Sequence, residues 1–245
     1  MSLTDKIEIP RRTMVLFFVI DTSGSMDGSK IGAVNAAIEE IIPEIRGVSD
    51  ENADALIKIA ALEFSSGARW ITVNGPVEAD QFNWNFLEAA GVTDFGAACK
   101  TLNEKLSTKA FMQEATGSFA PAIFLLSDGE PTDDWQRHLA DLKKNNWFKA
   151  AVKVAVAIGD DANKDVLKEF TGTMEAVLET RSAATLKKMI KFVSVRASQV
   201  ASKSSNVSDA AADLGDEAKQ QELNAHLQEL KEDIAAAPDN DQTDW

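Results

Sequence analysis

Phe17-Phe18-Val19-Ile20-Asp21-Thr22-Ser23-Gly24-Ser25-Met26 is the stretch on which the fold turns. An apolar run ends at a carboxylate, and two hydroxyls follow at alternate positions around a glycine. A short apolar run bounded in this way reads as a buried strand, and Gly24 permits a tight turn at its end. Ligands of open α/β sheets sit beyond the carboxyl ends of the strands. Asp21, Ser23 and Ser25 are therefore expected to project oxygens into such a crevice. Hard oxygens with one or two carboxylates suit Mg2+, which keeps several of its waters. The stretch predicts a divalent-metal site at a strand end.

Outward from it, residues 13–21 are too continuously apolar for a surface hairpin and predict a central parallel strand. Ser29 is the expected cap of a helix with Ile31, Val34, Ala37, Ile38, Ile41 and Ile42 on one side, which Pro43 should kink or end near Gly47. Residues 54–64 read as a strand, Ser65-Ser66-Gly67 as a turn and 69–73 as a short return strand, giving an antiparallel edge. The stretch 74–90 looks irregular, with Phe82, Trp84, Phe86 and Leu87 forming a hydrophobic flap. A second loop at 91–96 leads into a helix carrying Ala97, Ala98, Leu102 and Leu106. The strand 121–126 ends in Ser127-Asp128-Gly129-Glu130-Pro131-Thr132. A helix at 135–145, a strand at 151–158, a helix capped by Asn163, a strand at 176–178 and a helix at 182–199 complete the pattern. Strands alternating with helices predict a doubly wound α/β fold, with a mostly parallel sheet, one antiparallel edge strand and helices on both faces.

Composition narrows the function classes. The chain has 245 residues, 44% of them hydrophobic and 26% charged, as in soluble globular proteins. A net charge of -14 argues against nucleic-acid binding, which needs clustered lysine and arginine. Cys99 is the single cysteine, so neither an intrachain disulfide nor a cysteine zinc cluster can form. Arg11-Arg12 before an apolar stretch imitates a twin-arginine signal. That stretch is short, lacks a small-residue cleavage site and runs straight into the Asp21 motif. No run approaches the ~20 apolar residues that span a bilayer, and a cytoplasmic location is expected. The chain divides into a leader (1–10), the α/β domain (11–200) and an acidic, alanine-rich tail (201–245). Within the tail Leu223, Leu227, Leu230 and Ile234 recur at helical spacing. The tail is either an amphipathic helix docked on the domain or a partner, or a solvated segment.

Three loops carry the chemistry. They are Asp21-x-Ser23-x-Ser25, Thr93 with Asp94, and Asp128. If the strands bearing Asp21 and Asp128 are neighbours, their carboxylates converge at one sheet edge. Two such carboxylates repel, and a divalent ion removes that repulsion. Hydroxyls add oxygens without charge, so the ion stays electrophilic and an open position can accept a carboxylate from another protein.

These residues resemble the von Willebrand factor A domain and its metal-ion-dependent adhesion site, over roughly 13–198. That family carries Asp-x-Ser-x-Ser on the first loop, Thr on the second and Asp on the third, matching Asp21, Ser23, Ser25, Thr93 and Asp128. The resemblance implies that Ser23 and Ser25 bind the ion directly and that Asp21 and Asp128 hold it mainly through waters. Thr93 would bind directly or through water according to conformational state. Arg11-Arg12, the 17–26 stretch and Ile31-Gly32-Ala33-Val34-Asn35 also resemble the TerY-like subgroup linked to bacterial tellurite resistance and stress response. Some members of that subgroup carry a C-terminal zinc ribbon, whereas this chain has the acidic tail.

The remaining reactive residues read as structural. Cys99 lacks an activating partner, and neither His138 nor His226 has a serine or cysteine placed to form a triad. Asp27, Asp94 and Glu130 are expected to be solvated, and Trp135, Trp147 and Phe148 to pack. The expectation is a non-enzymatic, metal-dependent protein-interaction module. It would hold Mg2+, with Mn2+ or Ca2+ as alternatives, and recognise an aspartate or glutamate of a partner protein, with no nucleic acid or membrane involved. One alternative is an Mg2+-dependent phosphohydrolase of haloacid-dehalogenase type using Asp21 and Ser127. There Ser23 stands where that family has its proton-transferring acid. The other is a scaffold acting through its acidic tail.

Overall fold

The computed structural model describes residues 11–53, 55–113, 117–160, 162–201 and 212–236. The leader expected at 1–10 lies outside them, as do 202–211 and 237–245 of the expected tail. Strand β1 (Arg12–Asp21) is buried at every residue after Arg12. Parallel strands cover both its edges, β2 (Ala55–Ser65) on one side and β5 (Ala122–Ser127) on the other. Its side chains alternate between two layers, as a period of two requires. Met14, Leu16, Phe18 and Ile20 enter one hydrophobic core, and Val15, Phe17 and Val19 the other. A strand buried on both faces must be apolar throughout, which is why this run shows no polar alternation.

The seven-stranded sheet continues through β6 (Val152–Ile158) and β7 (Val177–Thr180), both parallel to their neighbours. At the opposite edge β3 (Gly67–Trp70) runs antiparallel to β2. Pairing of Ser65 with Gly67 leaves Ser66 alone in the turn, and the return strand starts earlier than the expected 69–73. A further antiparallel pairing, β4 (Val77–Glu78) on β2, lies inside the stretch expected to be irregular. The doubly wound α/β architecture is as expected.

Helix α1 (Ser29–Glu51) departs from expectation at both ends. Its N-cap is Gly28, at φ +79°, rather than Ser29, and the helix passes through Pro43 without ending. Pro43 is exposed, while Ile31, Val34, Ile38, Ile41, Ile42 and Ile45 are buried on the opposite side. Burying each such side chain contributes about 1.5–3 kcal/mol, which outweighs the ~3 kcal/mol penalty of an interior proline. Helix α6 (Ala183–Ala201) packs beside α1 on that face of the sheet. On the other face lie α2 (Phe95–Lys105), α3 (Trp135–Leu142), α4 (Asn146–Ala150) and α5 (Lys164–Thr171). The helix expected over 135–145 stops at Leu142 because Asn145 caps α4, its side chain accepting from Trp147 N at 2.8 Å. Asn163 caps α5 as expected, accepting from Asp165 N and Val166 N.

Helix α7 (Ala212–Ala236) lies on the first core, with Leu223, Leu227 and Leu230 buried and Ile234 packed alongside. Gln220 anchors it to the sheet. Its side-chain amide accepts from Lys153 N at 2.8 Å and donates to Lys153 O at 3.1 Å. β7 begins pairing with β6 only at Ala155, so Gln220 satisfies the peptide groups of Lys153 that no strand reaches. No helix among the described residues is long and apolar enough to cross a membrane.

Candidate metal centre

β1 and β5 run in parallel register up to Ile20 opposite Leu126. One residue further on, the two strands release Asp21 and Ser127, and the loops that follow meet. Ser127 Oγ donates to Asp21 Oδ2 at 2.6 Å, and Ser23 N donates to Asp21 Oδ1 at 2.8 Å. Asp21 is fully buried, with both oxygens held in place. Burial pushes its carboxyl above the ordinary carboxylate range, the bonds from Ser127 and Ser23 oppose this in part, and the Asp128 charge adds to it.

Next to Asp21 the oxygens form a row. Ser23 Oγ lies 3.1 Å from Ser25 Oγ, and Ser25 Oγ donates to Asp128 Oδ1 at 2.8 Å. Neighbouring ligands of an octahedral Mg2+ at 2.0–2.1 Å are separated by roughly 2.8–3.0 Å. These are hydrogen-bond separations close to those of adjacent ligands on one small cation, and the chemistry of the row with Asp21, two carboxylates and neutral hydroxyls, suits a hard one. Thr93 joins from the second loop. A Cβ built on Gly129 would lie 3.2 Å from Thr93 Oγ1 and 3.5 Å from Ser25 Oγ, so both hydroxyls face the backbone beside Asp128. The fold thus brings Asp21, Ser23, Ser25, Thr93 and Asp128 to one edge. Among the described residues no cluster of three or more histidine, cysteine or acidic side chains could hold a metal, and the oxygens gathered here come partly from hydroxyls.

The neighbouring loops are held by Asp133, which sequence reasoning left out, and by Asp94 and Thr132, to which it gave no such role. Asp133 accepts from Gly96 N at 2.9 Å and Ala97 N at 3.0 Å, capping α2 from the third loop. The sequence neighbour, Asp94, makes no capping bond. Instead it accepts from Gly67 N at 2.8 Å and from Thr132 Oγ1 at 3.4 Å, tying the second loop to the β2–β3 turn. Thr132 N donates to Thr93 O at 2.8 Å, and Thr132 Oγ1 accepts from Thr93 N at 3.1 Å. Asp94 is therefore structural rather than merely solvated. A helix start preceded by an aspartate suggests a local cap, and nothing in a linear pattern signals that the cap comes from 39 residues downstream of Asp94 at Asp133.

On the other flank, buried Asn35 of α1 pins the flap. Its side chain accepts from Leu87 N at 2.8 Å and Trp84 Nε1 at 3.2 Å, and donates to Leu87 O at 2.9 Å. Phe82 and Leu87 are buried while Phe86 is 64% exposed, so the aromatic stretch divides between core and surface. Ala90 N and Gly24 N bond to Thr22 O and Gly91 O, joining the flap to the first loop. Between flap and hairpin lies a cleft of about 480 Å3 that includes Thr22, Glu63, Arg69, Phe86, Glu88 and Ala90. Glu63 and Arg69, register partners on β2 and β3, pair on its hairpin wall at 2.5 Å.

The residues set aside earlier remain structural. Cys99 is buried, and desolvation drives its thiol well above the ordinary range, against thiolate chemistry. Glu130 accepts from Asn163 Nδ2 at 2.9 Å. His226 lies on α7 between Glu222 and Glu229.

A doubly wound sheet whose central strand ends in clustered carboxylate and hydroxyl oxygens defines a Rossmann-like domain with a candidate cation site at its carboxyl edge. The model of the von Willebrand factor type A domain matches residues 16–192, and the chain belongs to that family. No curated protein matches it at a significant level. Among solved structures, proximal thread matrix protein 1 from the mussel byssus aligns with a TM-score of 0.60 at 16% identity, over 77% of this chain and 48% of that one. That structure has a zinc-occupied MIDAS motif. A von Willebrand factor type A protein from Catenulispora acidiphila aligns with a TM-score of 0.55 at 19% identity, covering 76% of this chain and 43% of its own. The ArnB paralog VWA2 from Sulfolobus acidocaldarius gives 0.54 at 19%, covering 76% and 45%. The chain spans less than half the length of each of these three proteins.

Proposed function

We propose that this chain is a divalent-cation-dependent protein-interaction module, in which Asp21, Ser23, Ser25, Thr93 and Asp128 hold Mg2+ and a partner's aspartate or glutamate completes the shell. The observation that carries this reading is the row Ser23 Oγ, Ser25 Oγ, Asp128 Oδ1, with separations of 3.1 and 2.8 Å. A bound cation supplies Lewis acidity, which attracts an incoming carboxylate. The chain's own part is to hold the oxygens. The β1–β5 register sets Asp21 beside Ser127, and Gly129 leaves room for Thr93 and Ser25. Exposed Phe86 and the cleft beside it give a partner apolar and polar contacts next to the cation. Mn2+ fits the same donor set, whereas Ca2+ favours six to eight oxygens at longer distances.

A non-enzymatic role is supported by the engagement of both Asp21 oxygens and by the hydroxyl, not an acid, at position 23. The resemblance of Arg11-Arg12, the 17–26 stretch and Ile31-Gly32-Ala33-Val34-Asn35 to the TerY-like subgroup supports a role in bacterial stress response of the tellurite-resistance type, with the cytoplasm as the proposed location. The test is capture of partners from a lysate on the immobilised chain in Mg2+ and in EDTA, beside Asp21→Ala. Proteins retained only by the unaltered chain in Mg2+ are expected. Retention that ignores both EDTA and Asp21→Ala would overturn the reading.

A further inference from the structure

One cation is already built into the site. Lys30 Nζ lies 2.5 Å from Asp128 Oδ2, with the lysine side chain 15% exposed and the aspartate side chain fully buried. The other oxygen of Asp128 takes the Ser25 hydroxyl. Lys30 is the second residue of α1, just after Gly28, whose φ of +79° turns the chain out of the first loop. This is an adverse place for a lysine, because a helix N-terminus carries partial positive charge and favours anions. The Asp128 carboxylate is what holds it there, 98 residues away in sequence.

We propose that Lys30 is an intramolecular counter-cation that shares the Asp128 carboxylate with the divalent ion and thereby lowers the affinity of the site. This rests on the proposed metal-binding role of the five oxygens. With Asp21 and Asp128 ionised, the donor set carries two negative charges, and Lys30 cancels one of them at contact distance. Ligand charge count is a main determinant of divalent-ion affinity. A lysine so little exposed is screened by salt far less than a surface charge. Lys30 is thus a tuning residue that keeps the first loop and Asp128 together while weakening the ion's hold.

The test is calorimetric titration of the full chain with Mn2+ and Mg2+, alongside Lys30→Met, Lys30→Arg and Asp21→Ala. Removing one like charge at contact should tighten the Kd of Lys30→Met by about tenfold, and the gain should persist when NaCl is raised to about 0.5 M. Lys30→Arg should stay near the original Kd. A second readout is thermal stability. Without metal, Lys30→Met should melt below the unaltered chain, and saturating Mn2+ should raise its Tm by a larger increment. An unchanged or weaker Kd for Lys30→Met overturns the proposal, as does a gain that disappears in salt. Should the unaltered chain show no Mn2+ or Mg2+ binding sensitive to Asp21→Ala, the metal-binding reading itself fails. The two failures are thereby distinguishable.

Discussion

Ser127 at the end of β5 donates a 2.6 Å hydrogen bond to Asp21 at the end of β1, in the interior of the protein. It connects the first and third loops before any ligand is considered. A hydrogen bond to a buried charged group contributes about 1.5–3 kcal/mol, so Ser127→Ala should destabilise the chain by about that amount. Its Mg2+ affinity should fall as Asp21 loses orientation. Urea midpoints and metal titrations of the variant measure both, and an unchanged midpoint would contradict this role for Ser127.

Asp21 also sets a pH dependence. Burial raises its carboxyl above the ordinary value, so the folded chain holds that proton more tightly than the unfolded chain. Its contribution to stability is present below the unfolded pKa and is lost as pH rises through the folded one. Metal binding has the opposite sign, since the ion requires the carboxylate. Mg2+ affinity should increase as pH rises through the raised value, and flat affinities across about pH 4–8 would exclude this linkage.

Gly129 tests the convergence of the loops. An added Cβ would stand 3.2 Å from Thr93 Oγ1 and 3.5 Å from Ser25 Oγ. Gly129→Ala should therefore keep the fold but lower metal affinity, and Gly129→Val should lower it further. Circular dichroism and titration together distinguish this from unfolding.

Asn35→Ala removes three bonds to the flap at once. At about 1 kcal/mol for each bond, and with Leu87 left unsatisfied, the cost should be about 2–4 kcal/mol. Hydrogen exchange should rise over 84–90, where the flap meets the first loop. Exchange confined to α1 would mean that Asn35 does not pin the flap.

The distant cap of α2 gives a paired prediction. Asp133→Ala should cost about 1–2 kcal/mol, as loss of a good N-cap does. Gly96→Ala should cost more, because its Cβ would lie 2.7 Å from Asp133 Oδ2 and 2.9 Å from Trp135 Cα. Thermal melts of the two variants rank them, and equal costs would argue against the close approach.

What was legible in the sequence was local. The run 17–20 announced its own burial, and alternation of strand and helix patterns implied the sheet. Asp and Ser in strand-end loops are often only turn and capping residues, so the five oxygen-bearing residues stood out as a set through the resemblance to the von Willebrand factor A motif. α1 shows where local rules mislead. Pro43 reads as a break, but a buried isoleucine face on both sides of it outweighs the proline. The reach of β4 into the flap was hidden because two residues of strand carry no periodicity.

Sequence alone determined the α/β class, the first-loop motif and the identity of the candidate ligands, because burial period and donor chemistry are written residue by residue. Tertiary structure decided what surrounds those ligands. Ser127 meets Asp21 only through the β1–β5 register, Asp133 caps a helix in another loop, Lys30 reaches Asp128 across 98 positions, and Gln220 completes the edge of β6. Each is a polar contact of one or two hydrogen bonds between distant segments. Its partner is fixed by where the backbone comes to rest, and no pattern within either segment encodes it.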